Sequence, residues 1–186
     1  MSAIRQTRAT LDDLYRTPGK AELIGGSIVQ LMATGRTPNR VAGRIFRSLD
    51  DHAEKSGKGE AYTDNMGFAI AELPSGRESF SPDASYYDGV MPADSMQFIA
   101  GAPTFAAEVR SAGDYGAAAE AEMVDKRADY FAAGTSVVWD VDPLAACIHV
   151  YKAADPSRPI TFARGQVAEA EPAVPGWRVA VDWIFA

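Results

Sequence analysis

The sequence predicts a mixed α/β (α+β) protein: one central β-sheet flanked by helices, with a short helix and a hairpin ahead of it. Three observations predict this. From about Pro38 to Lys55, Val41, Ile45 and Leu49 recur at i, i+4 and i+8 with Phe46 widening their face, the period of an amphipathic helix. Beyond Gly57 and Gly59 the period shortens to two and turn residues recur, as strands require. An Ala-rich helical pattern then runs from about Tyr115 to Ala133 before the alternation resumes. The 186 residues suit a single domain, 1–186.

Taken in order, Thr10 is an N-cap with an acid, Asp13, at N3, opening a short helix through Tyr15 that Pro18-Gly19 ends. Ala21–Ile24 and Ser27–Met32 flank Gly25-Gly26, a two-residue turn in which both glycines tolerate positive φ. Gly57 and Gly59 close the long helix. Glu60–Thr63 and Gly67–Ala71 read as strands joined through Asp64-Asn65, and Ser75-Gly76 as a turn. Phe80–Tyr87 and Thr104–Arg110 read as two more strands, separated by a loop over Asp88–Pro103. Gly134 ends the Ala-rich helix, and Val137–Val141 and Cys147–Lys152 form a hairpin around Asp142-Pro143. The tail carries Pro159, Pro172 and Pro175 and a last strand near Trp177–Val181.

Composition removes several classes. Eighteen Lys plus Arg against 25 Asp plus Glu leave a net charge of −7, a poor balance for coating nucleic acid, although local contact stays open. No apolar run approaches the roughly 18 residues of a membrane span. The N-terminus, with no apolar core, does not read as a secretory signal. One cysteine and two histidines build neither an internal disulfide nor a structural zinc site, and the expected compartment is the reducing cytoplasm. P-loop, dinucleotide and G-x-S-x-G signatures are absent. Cys147 lies in an apolar stretch and reads as core, His149 as a strand residue and His52 as a helix-surface one. Trp139 and Trp177 read as core or interface anchors. Asp140 and Asp142 alternate around Val141 and, with Pro143 next, read as strand-end and turn residues rather than a metal pair.

Three residues stand out chemically. Glu108 lies mid-strand on the side opposite Phe105, Ala107 and Val109, where a carboxylate needs a partner. Arg110, two residues on, is one candidate, and a cation site is the other. Asp83 follows a proline inside a strand pattern, which marks a strand start, an edge or a bulge from which a carboxylate can project. Two carboxylates on neighbouring strands repel unless a cation lies between them, and oxygen-only ligands suit Mg²⁺ or Mn²⁺. On a helical wheel with Met123 at zero, Ala119, Tyr130 and Lys126 fall at about −40°, −20° and −60°. Lys126 therefore borders the stripe that packs on the sheet. It must snorkel, meet an acid there, or pair with Glu122 at i−4.

These segments, in this order, resemble the Uma-type restriction-endonuclease family of bacteria, within the PD-(D/E)xK nuclease superfamily. The resemblance runs over most of the chain, through Ala21-Glu22-Leu23-Ile24-Gly25-Gly26, Ser81-Pro82-Asp83, Ala107-Glu108-Val109-Arg110-Ser111, Lys126, Tyr130 to Gly134, Val138-Trp139-Asp140-Val141-Asp142-Pro143, Val150-Tyr151 and Pro175-Gly176. It implies a restriction-endonuclease-like core with its site where the central strands diverge. It further implies that Asp83, Glu108 and the backbone carbonyl of Val109 ligate Mg²⁺ or Mn²⁺, that Glu22 is a further acid near the metal or water, and that Lys126 replaces the lysine most of the superfamily carries at the position of Arg110. Arginine there cannot act as a base but can offset phosphate charge. Where the family often has a histidine near the start of the long helix, Asn39 stands.

The expected activity is Mg²⁺-dependent hydrolysis of DNA phosphodiester bonds, with Asp83 and Glu108 holding the metal and Lys126 or Glu22 orienting the attacking water. Arg36, Arg40, Arg44 and Arg47 are candidate backbone contacts, the last three on one helix face, a face that also suits plain solvation. Two other readings stay open. One is a non-catalytic nuclease fold serving as an interaction or dimerisation module, and the other is a hydrolase of small phosphorylated substrates. The resemblance also implies a homodimer.

Overall fold

A computed structural model describes residues 8–186; the first seven residues, part of the segment read above as lacking an apolar leader, lie outside it. The elements are α1 (Leu11–Tyr15), β1 (Ala21–Ile24), β2 (Ser27–Gln30), α2 (Arg36–Ser56), β3 (Glu60–Thr63), β4 (Phe68–Ala69), β5 (Ser79–Phe80), β6 (Ala84–Tyr87), β7 (Ile99–Ala100), β8 (Phe105–Val109), α3 (Ala117–Ala133), β9 (Val137–Asp142), β10 (Cys147–Lys152), β11 (Asp155–Ala163), β12 (Val167–Glu169), β13 (Arg178–Ala180) and α4 (Val181–Ile184). Among the described residues no helix is long and apolar enough to cross a membrane.

The central sheet has six strands in the order β11-β10-β9-β8-β6-β3. Only β8 and β9 run parallel, as the crossover through α3 requires; the other neighbours are antiparallel. Alternation along the strands divides the core in two. Phe105, Ala107, Val109, Trp139 and Val141 face α2, which brings Val41, Ile45 and Leu49, and the C-terminal segment, which brings Trp177 and Ile184. Trp139 and Trp177 stack there with centroids 4.8 Å apart, so both are core anchors. Ala106 and Val138 face the other way, toward Tyr130 of α3 and toward Phe68 and Phe80.

Local signals placed most elements. Thr10 and Asp13 form the reciprocal capping box. Gly25 and Gly26 both take positive φ in the β1–β2 turn, and α2 ends at Gly57 in the left-handed region. The β9–β10 hairpin pairs Asp142 with Cys147, and Asp142 caps the turn by accepting the amides of Leu144 and Ala145.

Four expectations need correction. Phe80–Tyr87 is not one strand: Ser81-Pro82-Asp83 breaks it, leaving β5 in a three-stranded sheet, β5-β4-β7, and β6 in the central one. The cause is Pro82, which has no amide to give a ladder. β3 and β4, read as joined neighbours, likewise belong to different sheets, β3 pairing with β6. The Asp88–Pro103 loop contains β7, which pairs parallel with β4. The tail is more ordered than its prolines suggest. β11 runs through Pro156 and Pro159 because it is the sheet's edge strand, mostly exposed, where a missing amide costs no ladder bond.

Candidate active site

Asp83 stands at the seam between the two sheets. Its amide continues the β6–β8 ladder by donating to the Ala107 carbonyl at 3.2 Å. Its Oδ2 accepts the Val109 amide at 2.8 Å, which locks the carboxylate beside the end of β8. Its Oδ1 takes the ammonium of Lys20 at 3.0 Å, and the same ammonium touches Asp64 Oδ1 at 2.5 Å.

Glu108 projects from β8 toward α3. Its Oε1 accepts the Tyr130 hydroxyl at 2.6 Å and meets Lys126 Nζ at 2.9 Å. Lys126 also reaches Glu22 Oε1 at 3.4 Å. Lys126 thus pairs with Glu108 and Glu22 rather than with Glu122, and Glu108 with Lys126 rather than with Arg110. Tyr130 is fixed from behind by stacking on Phe80 at 4.1 Å.

Glu22, on β1, is 2% exposed. It accepts the Ser81 amide at 3.0 Å and pairs with Arg77, whose Nε continues to Asp129 at 2.8 Å. Two ion-pair networks therefore meet here, one of Asp64 and Asp83 about Lys20 and one of Glu22, Glu108 and Asp129 about Arg77 and Lys126, each with one negative charge in excess.

The electrostatics differ from group to group. Burial pushes the Glu108 carboxyl above its ordinary range, and the Asp83 charge adds to this against the pull of Lys126 and Lys20. Burial also raises Glu22, but Lys126 and Arg77 together outweigh it and hold this carboxyl below its ordinary range. For Lys126 the desolvation cost is overcome by Glu108 and Glu22, so the ammonium stays charged well past neutrality.

Arg110 is placed differently from the expectation. Its guanidinium grips Asp140 through Nε at 2.7 Å and Nη2 at 2.8 Å, and it also pairs with Glu120. Two carboxylates neutralise it, so it is a structural clamp and not a free counter-charge for phosphate. Asp140 is not a strand-end residue but a buried acid, 2% exposed, that also accepts from Arg127 at 3.2 Å. The arginine stripe belongs to α2, which packs by its apolar face on the side of the sheet opposite Glu108; Arg44 donates to the Ile184 carbonyl at 3.2 Å and Arg47 lies 4.8 Å over Trp183. Asn39 is exposed in the first turn of α2. Cys147 is buried, and His149 hydrogen-bonds Thr161 at 2.8 Å across β10–β11.

Sequence reasoning missed Lys20, Asp64, Arg77 and Asp129. A signal existed for Arg77: Glu22 alternates within an apolar strand, and a buried acid demands a cation from somewhere in the chain.

The fold resembles that of a crystal structure from Anabaena variabilis described as "a putative nuclease belonging to DUF820", with a TM-score of 0.73 and 18% identity over 95% of this chain and 97% of that one. At that identity the likeness speaks for the fold alone. No curated protein matches. Residues 8–182 match the Uma2 family, described as "Putative restriction endonuclease", and the chain belongs to that family.

Proposed function

We propose that the protein is a divalent-metal-dependent endonuclease acting on DNA, with Asp83 and Glu108 holding Mg²⁺ or Mn²⁺ and the Val109 carbonyl as a further ligand. The observation that supports this most is that the two ion-pair networks each carry one negative charge in excess and bring Asp83 and Glu108 within reach of each other's charge, so that one divalent ion would neutralise both. The donors are hard oxygens, as Mg²⁺ and Mn²⁺ prefer. No group of three or more His, Cys, Asp or Glu side chains gathers as a cage among the described residues. Mg²⁺, which keeps several waters and needs only one or two carboxylates, does not require one.

When bound, such an ion polarises a phosphate oxygen and lowers the pKa of a bound water. The residues of the chain then divide the remaining work. Lys126, held protonated, cannot take a proton; it orients the water or the phosphate and offsets developing negative charge. Tyr130 fixes the Glu108 carboxylate through its hydroxyl. Glu22 positions Lys126 by a second contact to its ammonium and is itself anchored by Arg77 and the Ser81 amide.

The test is nicking of a supercoiled plasmid in Mg²⁺ by the wild type and by Asp83→Ala. Nicking by the wild type alone is expected. Equal nicking by both identifies a contaminant. No nicking by either favours the second reading, a non-catalytic nuclease fold that docks a partner or a second copy of itself. One observation favours that reading: every carboxylate in the two networks already touches a cation of the chain.

A further inference from the structure

Lys20 has no role in the reaction as written above, yet its ammonium occupies the most consequential position in the site. Of the two Asp83 oxygens, Oδ2 is committed to the Val109 amide, so Oδ1 is the one left for a ligand, and Lys20 holds it at 3.0 Å. On Glu108, both contacts fall on Oε1, which leaves Oε2 without a hydrogen-bond partner among the described residues. Lys20 is mostly buried, 17% exposed at its side chain, and its backbone is tied down where the Leu31 amide donates to its carbonyl at 2.9 Å. A second seat is built beside it, since Asp64 Oδ1 lies 2.5 Å from the same nitrogen and is itself 41% exposed.

We infer that Lys20 is a built-in counter-ion that occupies the metal's place on Asp83, and that a divalent ion binds by displacing its ammonium from Asp83, leaving it on Asp64 alone. This rests on the metal reading proposed above. The physical reason is competition for one oxygen. Two cations cannot share Oδ1 at contact distance without strong mutual repulsion. Without metal, the lysine keeps Asp83 and Glu108 from facing each other uncompensated. The site is thereby stable when empty, and metal affinity is lowered by whatever it costs to move the lysine. Asp64 reduces that cost by keeping the ammonium, which it already holds.

The test is calorimetric titration of the full-length, EDTA-treated protein with MnCl₂, with folding of every variant checked by circular dichroism. Lys20→Met keeps the aliphatic stem and removes the charge; it is expected to bind Mn²⁺ about tenfold or more tightly than the wild type. Asp64→Asn is expected to bind more weakly, and to do so much less in the Lys20→Met background, because the effect passes through the lysine. A plain loss of local negative charge would weaken both backgrounds equally and would overturn the relay. Wild-type binding with unchanged or weaker affinity in Lys20→Met overturns the role of Lys20 and leaves the metal reading standing. Absence of binding in the wild type and in Lys20→Met alike overturns the metal reading, and the inference with it. Should Lys20→Met fail to fold, Lys20→Gln carries the same expectations.

Discussion

Glu108 and Asp140 lie directly opposite each other in the parallel β8–β9 ladder, yet they draw on separate cations. Glu108 takes Lys126 and the Tyr130 hydroxyl, while Asp140 takes Arg110 and Arg127. Adjacent acids on one sheet face repel, and two private sets of partners relieve that repulsion. The division separates the Lys126–Tyr130 group from the arginine clamp across a single strand spacing.

Arg110→Ala should therefore behave as a stability variant. It strips the bidentate clamp from a buried carboxylate and leaves only Arg127, a loss of about 3 kcal/mol in urea denaturation. Mn²⁺ affinity should be unchanged in the folded fraction. A folded variant with no Mn²⁺ affinity would refute the separation.

Arg77→Ala should be more severe. Glu22 is almost wholly buried and would keep, of its two cations, only the longer contact to Lys126, beside the Ser81 amide. Breaking such a pair costs about 3–5 kcal/mol, measurable by chemical denaturation.

Glu22 also predicts an acid limb. Its folded carboxyl lies below the ordinary 4.5, so its stabilising contribution is complete above that value and is lost as pH falls through the depressed folded one. Thermal unfolding followed from ~pH 6 to ~pH 3 should show this decline in the wild type. In Glu22→Gln, already weaker at neutral pH, the limb should be shallower; an equally steep limb would assign the acid sensitivity elsewhere.

Tyr130→Phe keeps the stack on Phe80 but removes the hydroxyl from Glu108. The loss of one charge-assisted hydrogen bond should cost about 1.5–3 kcal/mol. Tyr130→Leu, which loses ring and hydroxyl together, should cost distinctly more in the same denaturation experiment.

Away from the site, Gly59→Ala should destabilise by more than about 1 kcal/mol. Gly59 has a φ of +60°, and an added Cβ would fall 2.4 Å from the Tyr86 ring. That ring is fixed by its hydroxyl donating to the Lys58 carbonyl at 2.9 Å. A neutral melting shift would show that the ring yields.

The parts of the molecule legible in the sequence were those governed by local rules. The capping box at Thr10, the Gly25-Gly26 turn, the face of α2 and the β9–β10 hairpin each depend on residues a few positions apart. The mid-strand acid and the acid after Pro82 were visible because each breaks a strand rule. The wheel placed Lys126 on the sheet-facing stripe but could not choose between Glu122 and a partner across the interface, a choice made by tertiary packing. Lys20 left no trace, because it belongs to no periodic face and its partners Asp64 and Asp83 are distant in the chain. Asp140 misled because Pro143 suggested a turn, whereas its two arginines come from β8's end and from α3. β11 was hidden by prolines that only an edge strand accommodates.

Lys126 and Tyr130 are one helical turn apart on α3, and both end on the same oxygen of Glu108. That carboxylate oxygen therefore senses the rotational phase of the helix at two successive points. A single residue inserted between them turns one side chain about 100° away from the other. Because this lysine is supplied by a helix and not by the acid's own strand, the geometry of the Glu108 ion pair is set by how α3 is rolled against the sheet. Arg110, two residues after Glu108 on its own strand, is left to hold Asp140.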